Sequence, residues 1–278
     1  MVIRDLTIDT KVELNNGVEM PIFGLGLYQT RKGKETQDAV YYALEAGYRL
    51  IDTAAMYGNE EDVGEAVRKS GLPREQIFIT TKLWNSDHGY DKALSAFEES
   101  RKKLGLYYVD LYLIHWPVEV LRKESWRALE TLLREGKCRA IGVSNYMIWH
   151  LEELLSDSSI VPAVNQVEFS PYLYQKDLLD FCRNHHIQLE AYSPLTKGYK
   201  LHDPKLANMA SKYSKSPAQI LIGWALQKEV VVIPKSSSKE RIHENADVFD
   251  FAISPEDMKV LDSFNEDLRT SWDPSTAT

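Results

Sequence analysis

Short runs rich in aliphatic and aromatic residues alternate along this chain with longer segments whose apolar residues recur every three or four positions. Residues 48–51, 77–80, 111–114, 140–143 and 230–233 have the length and composition of buried strands, while 91–104, 123–135 and 175–185 carry helical spacing. Adding 22–25, 163–167 and 188–191 brings the number of strands to eight. A strand that is apolar on both faces needs cover on both, and helices between consecutive strands supply it in a parallel sheet. Eight such units predict an α/β fold, a closed (β/α)₈ TIM barrel. A chain of 278 residues with 44% hydrophobic content suits that barrel as one domain spanning 1–278.

The ends of the chain elaborate this plan. Residues 11–14 and 19–20 flank Asn15, Asn16 and Gly17, and an Asn-Gly pair favours the positive φ angles of a tight turn. This predicts an N-terminal β-hairpin that caps the barrel bottom. Ser254, Pro255 and Glu256 start a C-terminal helix, and the tail from 269 to 278 has only Trp272 to anchor it.

Residues 1–10 alternate charged and apolar types, without the basic start and apolar stretch of a secretion signal. No apolar run approaches the roughly 20 residues that span a bilayer. A cytoplasmic protein with no membrane partner is expected. The 33 basic and 41 acidic side chains give a net charge of -8 with no basic run, so nucleic acid is not an expected partner. Cys138 and Cys182 lack Cys-x-x-Cys spacing and read as reduced thiols.

In such a barrel, reacting groups sit where strands end on the C-terminal face. Asp52, Lys82 and His115 follow three successive strands, and Tyr57 lies in the loop after Asp52. Singly, these residues have ordinary readings as a turn cap, a surface charge and a core histidine. Together they are more specific, because a lysine and an aspartate buried in one mouth must pair. Carbonyl reduction needs a hydride from one side and a proton at the oxygen. A tyrosine of pKa about 10 is a weak acid near neutrality, and an adjacent ammonium lowers that value. Lys82 is therefore expected to bring the Tyr57 pKa down, with Asp52 holding Lys82 and His115 hydrogen-bonding the substrate oxygen.

The blocks Tyr-Arg-Leu-Ile-Asp-Thr-Ala at 48–54, Tyr-Gly-Asn-Glu at 57–60 and Lys-Leu-Trp at 82–84 resemble those of the aldo-keto reductase family. So do Leu-Ile-His-Trp-Pro at 113–117, Gly-Val-Ser-Asn at 142–145 and Ile-Pro-Lys-Ser at 233–236. The resemblance runs from about residue 17 to 265 and extends to the microbial short-loop members of the diketogluconate reductase and methylglyoxal reductase type. It implies a catalytic tetrad of Asp52, Tyr57, Lys82 and His115. The cofactor it implies is NADPH, extended across the barrel mouth, since Gly24-Leu25-Gly26 alone is no Rossmann fingerprint. Ser144, Asn145 and Gln166 would then surround the carboxamide, and Tyr192 would stack on the nicotinamide. Ser193, Pro194 and Leu195 would follow the pyrophosphate, and Ile233, Lys235, Ser236, Ser238 and Arg241 would form the 2′-phosphate pocket, with Glu244 and Asn245 at adenine. Lys235 and Arg241 together suit a dianion that NAD lacks. Arg241 has an alternative as an ion pair with Glu240 or Glu244. Tyr28, Met56, Trp84, His115 and Trp116 would line the carbonyl pocket, whereas Trp126 and Trp149 read as packing residues.

Only 116–124 separates His115 from the next helix, which predicts an open pocket and a broad range of small carbonyl substrates. Methylglyoxal, sugar-derived aldehydes and diketo acids all fit that description, and a monomer is the expected state. Two rivals stand beside this reading. A barrel that binds cofactor as a sensor would not need the tetrad. A metal-dependent hydrolase would need several His and carboxylate ligands at strand ends, and adjacent His185 and His186 point apart on a helix.

Overall fold

The computed structural model describes residues 6–277. Residues 1–5 and Thr278 lie outside it, so the reading of 1–10 and that of the tail's end fall partly outside the described residues.

Eight parallel strands follow one another in sequence order: β3 (Gly24–Gly26), β4 (Leu50–Asp52), β5 (Phe78–Leu83), β6 (Val109–Ile114), β7 (Cys138–Ser144), β8 (Val164–Glu168), β9 (Gln188–Tyr192) and β10 (Val231–Val232). Parallel bridges Phe23–Val232 and Gly26–Lys235 close the ring. Closure is tight at Gly26, where an added Cβ would stand 2.9 Å from the Ile233 carbonyl oxygen. The connections carry α1 (Lys34–Glu45), α2 (Glu60–Lys69), α3 (Tyr90–Leu104), α4 (Arg122–Arg134), α5 (Ile148–Asp157) and α6 (Lys176–Asn184). Two helices, α7 (Pro204–Tyr213) and α8 (Pro217–Gln227), join β9 to β10, and α9 (Lys239–Ala246) and α10 (Pro255–Asp262) follow. The Ser254 hydroxyl caps α10 by accepting from Asp257 N, as its Ser-Pro-Glu start predicts.

Side chains alternate across each strand. Leu50, Phe78, Leu111, Leu113, Ala140, Val164, Val231 and Ile233 pack inside the ring, while Ile51, Ile79, Tyr112, Ile114, Ile141, Val143, Leu189 and Val232 join the cluster shared with the helices. Each fully buried aliphatic side chain contributes about 1.5–3 kcal/mol. The period-two rule therefore also turns Asp52, Lys82, His115, Ser144, Gln166, Glu168, Glu190 and Tyr192 inward, at or near the C-terminal ends of their strands. β5 runs past residue 80, where the strand read from sequence stops, because Thr81, Lys82 and Leu83 continue it, all three buried.

The hairpin of β1 (Lys11–Glu13) and β2 (Glu19–Pro21) places Leu14 and Met20 against the inner barrel layer, closing its bottom. Of the positive φ angles expected of the Asn-Gly pair, only one is found. Gly17 N donates to Leu14 O at 2.8 Å, and Gly17 takes φ 80° while Asn16 takes no positive φ. Both asparagine side chains donate out of the turn, Asn15 to Pro162 O (3.1 Å) and Asn16 to Arg139 O (2.9 Å), which ties the hairpin tip to the starts of β8 and β7.

The tail is anchored far more firmly than Trp272 alone would allow. Glu168, at the end of β8, accepts from Thr270 N (2.8 Å), Thr270 Oγ1 and Ser271 N (3.2 Å). Lys197 Nζ donates to Thr270 O at 2.6 Å, and the Trp272 ring packs on Trp116 at 4.8 Å. These partners are about 100 residues or more away in sequence, except for Lys197, or lie on other loops, so local patterning does not reveal them. Trp126 is buried as expected, but Trp149 is 43% exposed and lies over the Arg122 guanidinium at 5.4 Å instead of entering the core. Cys138 and Cys182 are free thiols, pushed up to about 12 by burial.

Candidate active site

Asp52 ends β4, Lys82 lies in β5, His115 follows β6, and Tyr57 ends a short helical turn over Ala55–Tyr57. The Lys82 ammonium is 0% exposed and Asp52 is 2% exposed. Lys82 Nζ donates to Asp52 Oδ1 at 2.6 Å, Asp52 Oδ2 at 2.8 Å, Thr53 O at 2.9 Å and, more weakly, Tyr57 Oη at 3.4 Å. The Tyr57 ring meets His115 edge-on at 5.7 Å and Tyr28 at 5.1 Å, and Trp84 stands 5.2 Å from His115. All four tetrad candidates therefore meet in one cluster.

The electrostatics depart from expectation in one respect. Tyr57 is held well above the ordinary tyrosine value, first by burial of its phenol oxygen and then by the negative charge of Asp52. The predicted lowering by Lys82 does not occur: burial of the phenol outweighs it, and Asp52, whose two carboxylate oxygens hold the ammonium at shorter distance, adds to the rise. Although the Tyr57 ring stays partly accessible, its hydroxyl keeps its proton near neutrality. Burial, reinforced by the Lys82 charge, holds His115 well below the usual histidine range, so its imidazole is neutral.

On the other side of the mouth, Ser144 Oγ donates to Gln166 O at 2.8 Å. Asn145, at φ 64°, donates to His115 O at 3.0 Å and accepts from Tyr192 Oη at 2.8 Å. Asparagine tolerates that left-handed conformation better than most residues. Gln166 Nε2 donates to Asp52 Oδ2 (2.7 Å) and to Glu190 Oε2 (2.8 Å), which couples this side to the tetrad. Ser193, Pro194 and Leu195 leave β9 through a loop where Ser193, Thr196 and Lys197 take positive φ.

Beyond Ile233, the loop after β10 leads to Ser238, which caps α9 by accepting from Arg241 N and donates to Glu240 at 2.6 Å. Lys235 and Arg241 are exposed, and among the described residues neither forms an ion pair, so the Glu240 and Glu244 alternatives for Arg241 are not realised. Two unpaired cations beside a helix N-terminus fit a phosphate monoester. Ser236 and Asn245 are buried and Glu244 is exposed. Tyr28 and Met56 are 39% and 38% exposed at the rim, and Trp116 is buried beneath Trp272. A separate cavity of about 440 Å³ between α4 and α5, lined by Arg122, Trp126, Tyr146 and His150 among others, includes none of these residues.

Sequence reasoning missed Glu168 and Glu190. Both are buried acids at inward positions of apolar strands, and that placement was the available signal.

The sequence model of the Aldo/keto reductase family matches residues 22–266. The chain belongs to the aldo/keto reductase family. Glyoxal reductase of Bacillus subtilis is 54% identical over 263 residues, covering 95% of this chain and 95% of that protein. The crystal structure of MGS-M4, an aldo-keto reductase from a Medee basin deep-sea metagenome library, has TM-score 0.92 and 48% identity over 96% of this chain and 99% of that one. A Bombyx mori aldo-keto reductase in complex with NADP has TM-score 0.89 and 37% identity, with 95% of each chain covered. As an aldo/keto reductase, this chain is an oxidoreductase that reduces carbonyl groups with NADP(H).

Proposed function

We propose that this aldo/keto reductase reduces small aldehydes, ketones and dicarbonyls, with Tyr57 as the general acid, acting as a cytoplasmic monomer whose 278 residues form one catalytic domain without nucleic-acid or membrane partners. The observation that carries the reading is the buried Asp52–Lys82 pair with the Tyr57 hydroxyl 3.4 Å from the Lys82 ammonium. Bound NADPH supplies the hydride. As negative charge develops on the carbonyl oxygen, Tyr57 Oη gives up its proton, and the Lys82 ammonium stabilises the phenolate left behind. Asp52 keeps that ammonium charged and in place. His115, being neutral, donates one hydrogen bond to the oxygen and orients it without competing as an acid.

Ser144, Asn145 and Gln166 hold the carboxamide, Tyr192 stacks on the ring, and Ser193 to Leu195 follow the pyrophosphate. Ile233, Lys235, Ser236, Ser238 and Arg241 take the 2′-phosphate, with Glu244 and Asn245 at adenine. The unpaired state of Lys235 and Arg241 supports a preference for NADPH over NADH. Arg241→Ala is expected to weaken NADPH about ten- to a hundredfold, the loss of one charge-assisted contact of about 1.5–3 kcal/mol, with NADH unchanged. Equal losses for both cofactors in titration would contradict a role at the 2′-phosphate.

The carbonyl pocket draws its walls from Tyr28, Met56, Trp84 and Trp116, with Trp272 adding an apolar surface from the tail. Apolar walls separate neighbouring substrates by only about 1–3 kcal/mol. Similarity to glyoxal reductase supports small dicarbonyls as the best substrates. Across a panel of aliphatic, aromatic and dicarbonyl compounds, catalytic efficiencies are expected to vary gradually, with Michaelis constants towards the millimolar end. Micromolar affinity for a single bulky substrate, with the rest inert, would overturn this reading.

A further inference from the structure

Gln166 and Glu190 are register partners on β8 and β9, and both point into the barrel. Glu190 is 0% exposed in a strand that is otherwise built for packing, and an acid in that position is costly unless its oxygens are used. One of them is used: Glu190 Oε2 lies 2.8 Å from Gln166 Nε2, whose second contact is Asp52 Oδ2 at 2.7 Å. A primary amide nitrogen has two N–H donors, so both are committed. The opposite amide orientation is excluded by Asp52, because its carboxylate, bound to Lys82, would then face a carbonyl oxygen. Burial and the Asp52 charge hold the Glu190 carboxyl above the ordinary carboxylate range. In its neutral form it accepts the amide N–H without setting a second negative charge beside Asp52.

We propose that Glu190 is a positioning residue for the cofactor: with Asp52 it locks the Gln166 amide so that only Oε1 is presented, as an acceptor for the carboxamide N–H of the nicotinamide. The assignment rests on the proposed role of Gln166 at the carboxamide. It makes Gln166 a rigid link between the cofactor ring and the Asp52–Lys82 pair, so the nicotinamide and the proton donor share one hydrogen-bond frame. Without Glu190, the amide keeps its Asp52 contact but gains rotational freedom, and its oxygen is presented only part of the time.

The test is a binding comparison by quenching of protein fluorescence, using NADP and its acetylpyridine analogue, which has a methyl ketone in place of the carboxamide and no N–H to donate. Wild type should bind NADP more tightly than the analogue. Glu190→Leu should weaken NADP about three- to tenfold, as loss of a neutral hydrogen bond does, and leave the analogue unchanged. Glu190→Gln keeps an acceptor oxygen and should stay within about twofold of wild type. Glu190→Ala gives the same comparison as leucine without adding branched bulk, should Glu190→Leu fail to fold. Equal losses for both ligands would reduce Glu190 to a packing residue, and no loss for NADP would overturn its role outright. Equal wild-type affinity for the two ligands would instead overturn the reading of Gln166 at the carboxamide, and the proposal with it.

Discussion

Tyr57→Phe is expected to lower turnover of a small aldehyde about 10²–10⁴-fold, the usual cost of removing a general acid, while the NADPH dissociation constant changes less than about twofold. The phenol oxygen is the atom that would touch the carbonyl, and among the described residues its one hydrogen-bond contact is the 3.4 Å approach of Lys82 Nζ. The ring itself packs on Tyr28 and His115, and phenylalanine preserves those contacts. Thermal stability should therefore be close to wild type. A variant that retains more than about a tenth of wild-type turnover would show that another group supplies the proton. The raised Tyr57 pKa gives the same conclusion from the other direction: near neutrality the group is a loaded donor, and Lys82 contributes when charge develops, not before.

Asp52→Ala is expected to cost about 3–5 kcal/mol of folding stability, because it leaves the Lys82 ammonium buried with no opposite charge. It also removes an acceptor of Gln166, so activity should fall as well. The informative comparison is the double variant Asp52→Ala with Lys82→Met. Removing both charges discards the desolvation penalty together with the attraction, so most of the lost stability should return while activity does not. Urea denaturation of the two variants measures this. A single-variant cost below about 1 kcal/mol would mean that water reaches Lys82 and that the pair is not the buried element described above.

The barrel was legible because its strands are apolar on both faces and separated by amphipathic segments, a pattern that few folds satisfy. The tetrad was legible for a related reason. Asp52, Lys82 and His115 interrupt apolar strands at their C-terminal ends, where a charged residue has no packing role. The direction of the Tyr57 shift was not legible, since it depends first on how deeply the phenol oxygen is buried and then on the nearby Asp52 charge, both of which are set by tertiary packing. The anchoring of the tail by Glu168 and the frame around Gln166 were hidden for another reason. Each joins residues far apart in sequence, 168 with 270 in the tail and 52 with 166 across the barrel mouth, and only the tertiary fold brings them together. The hairpin itself was legible from its Asn-Gly pair, but not that Gly17 alone takes a positive φ while Asn16 reaches Arg139.

Transfer of deuterium tests the central claim most directly. The purified chain is incubated with methylglyoxal and NADPH labelled at the transferring ring carbon, and the alcohol formed is quantified by mass spectrometry against the cofactor consumed. One deuterium on the carbinol carbon for each NADPH oxidised is the predicted result. Cofactor that binds but is not consumed, or an alcohol that carries no label, would contradict the assignment of this site to direct carbonyl reduction.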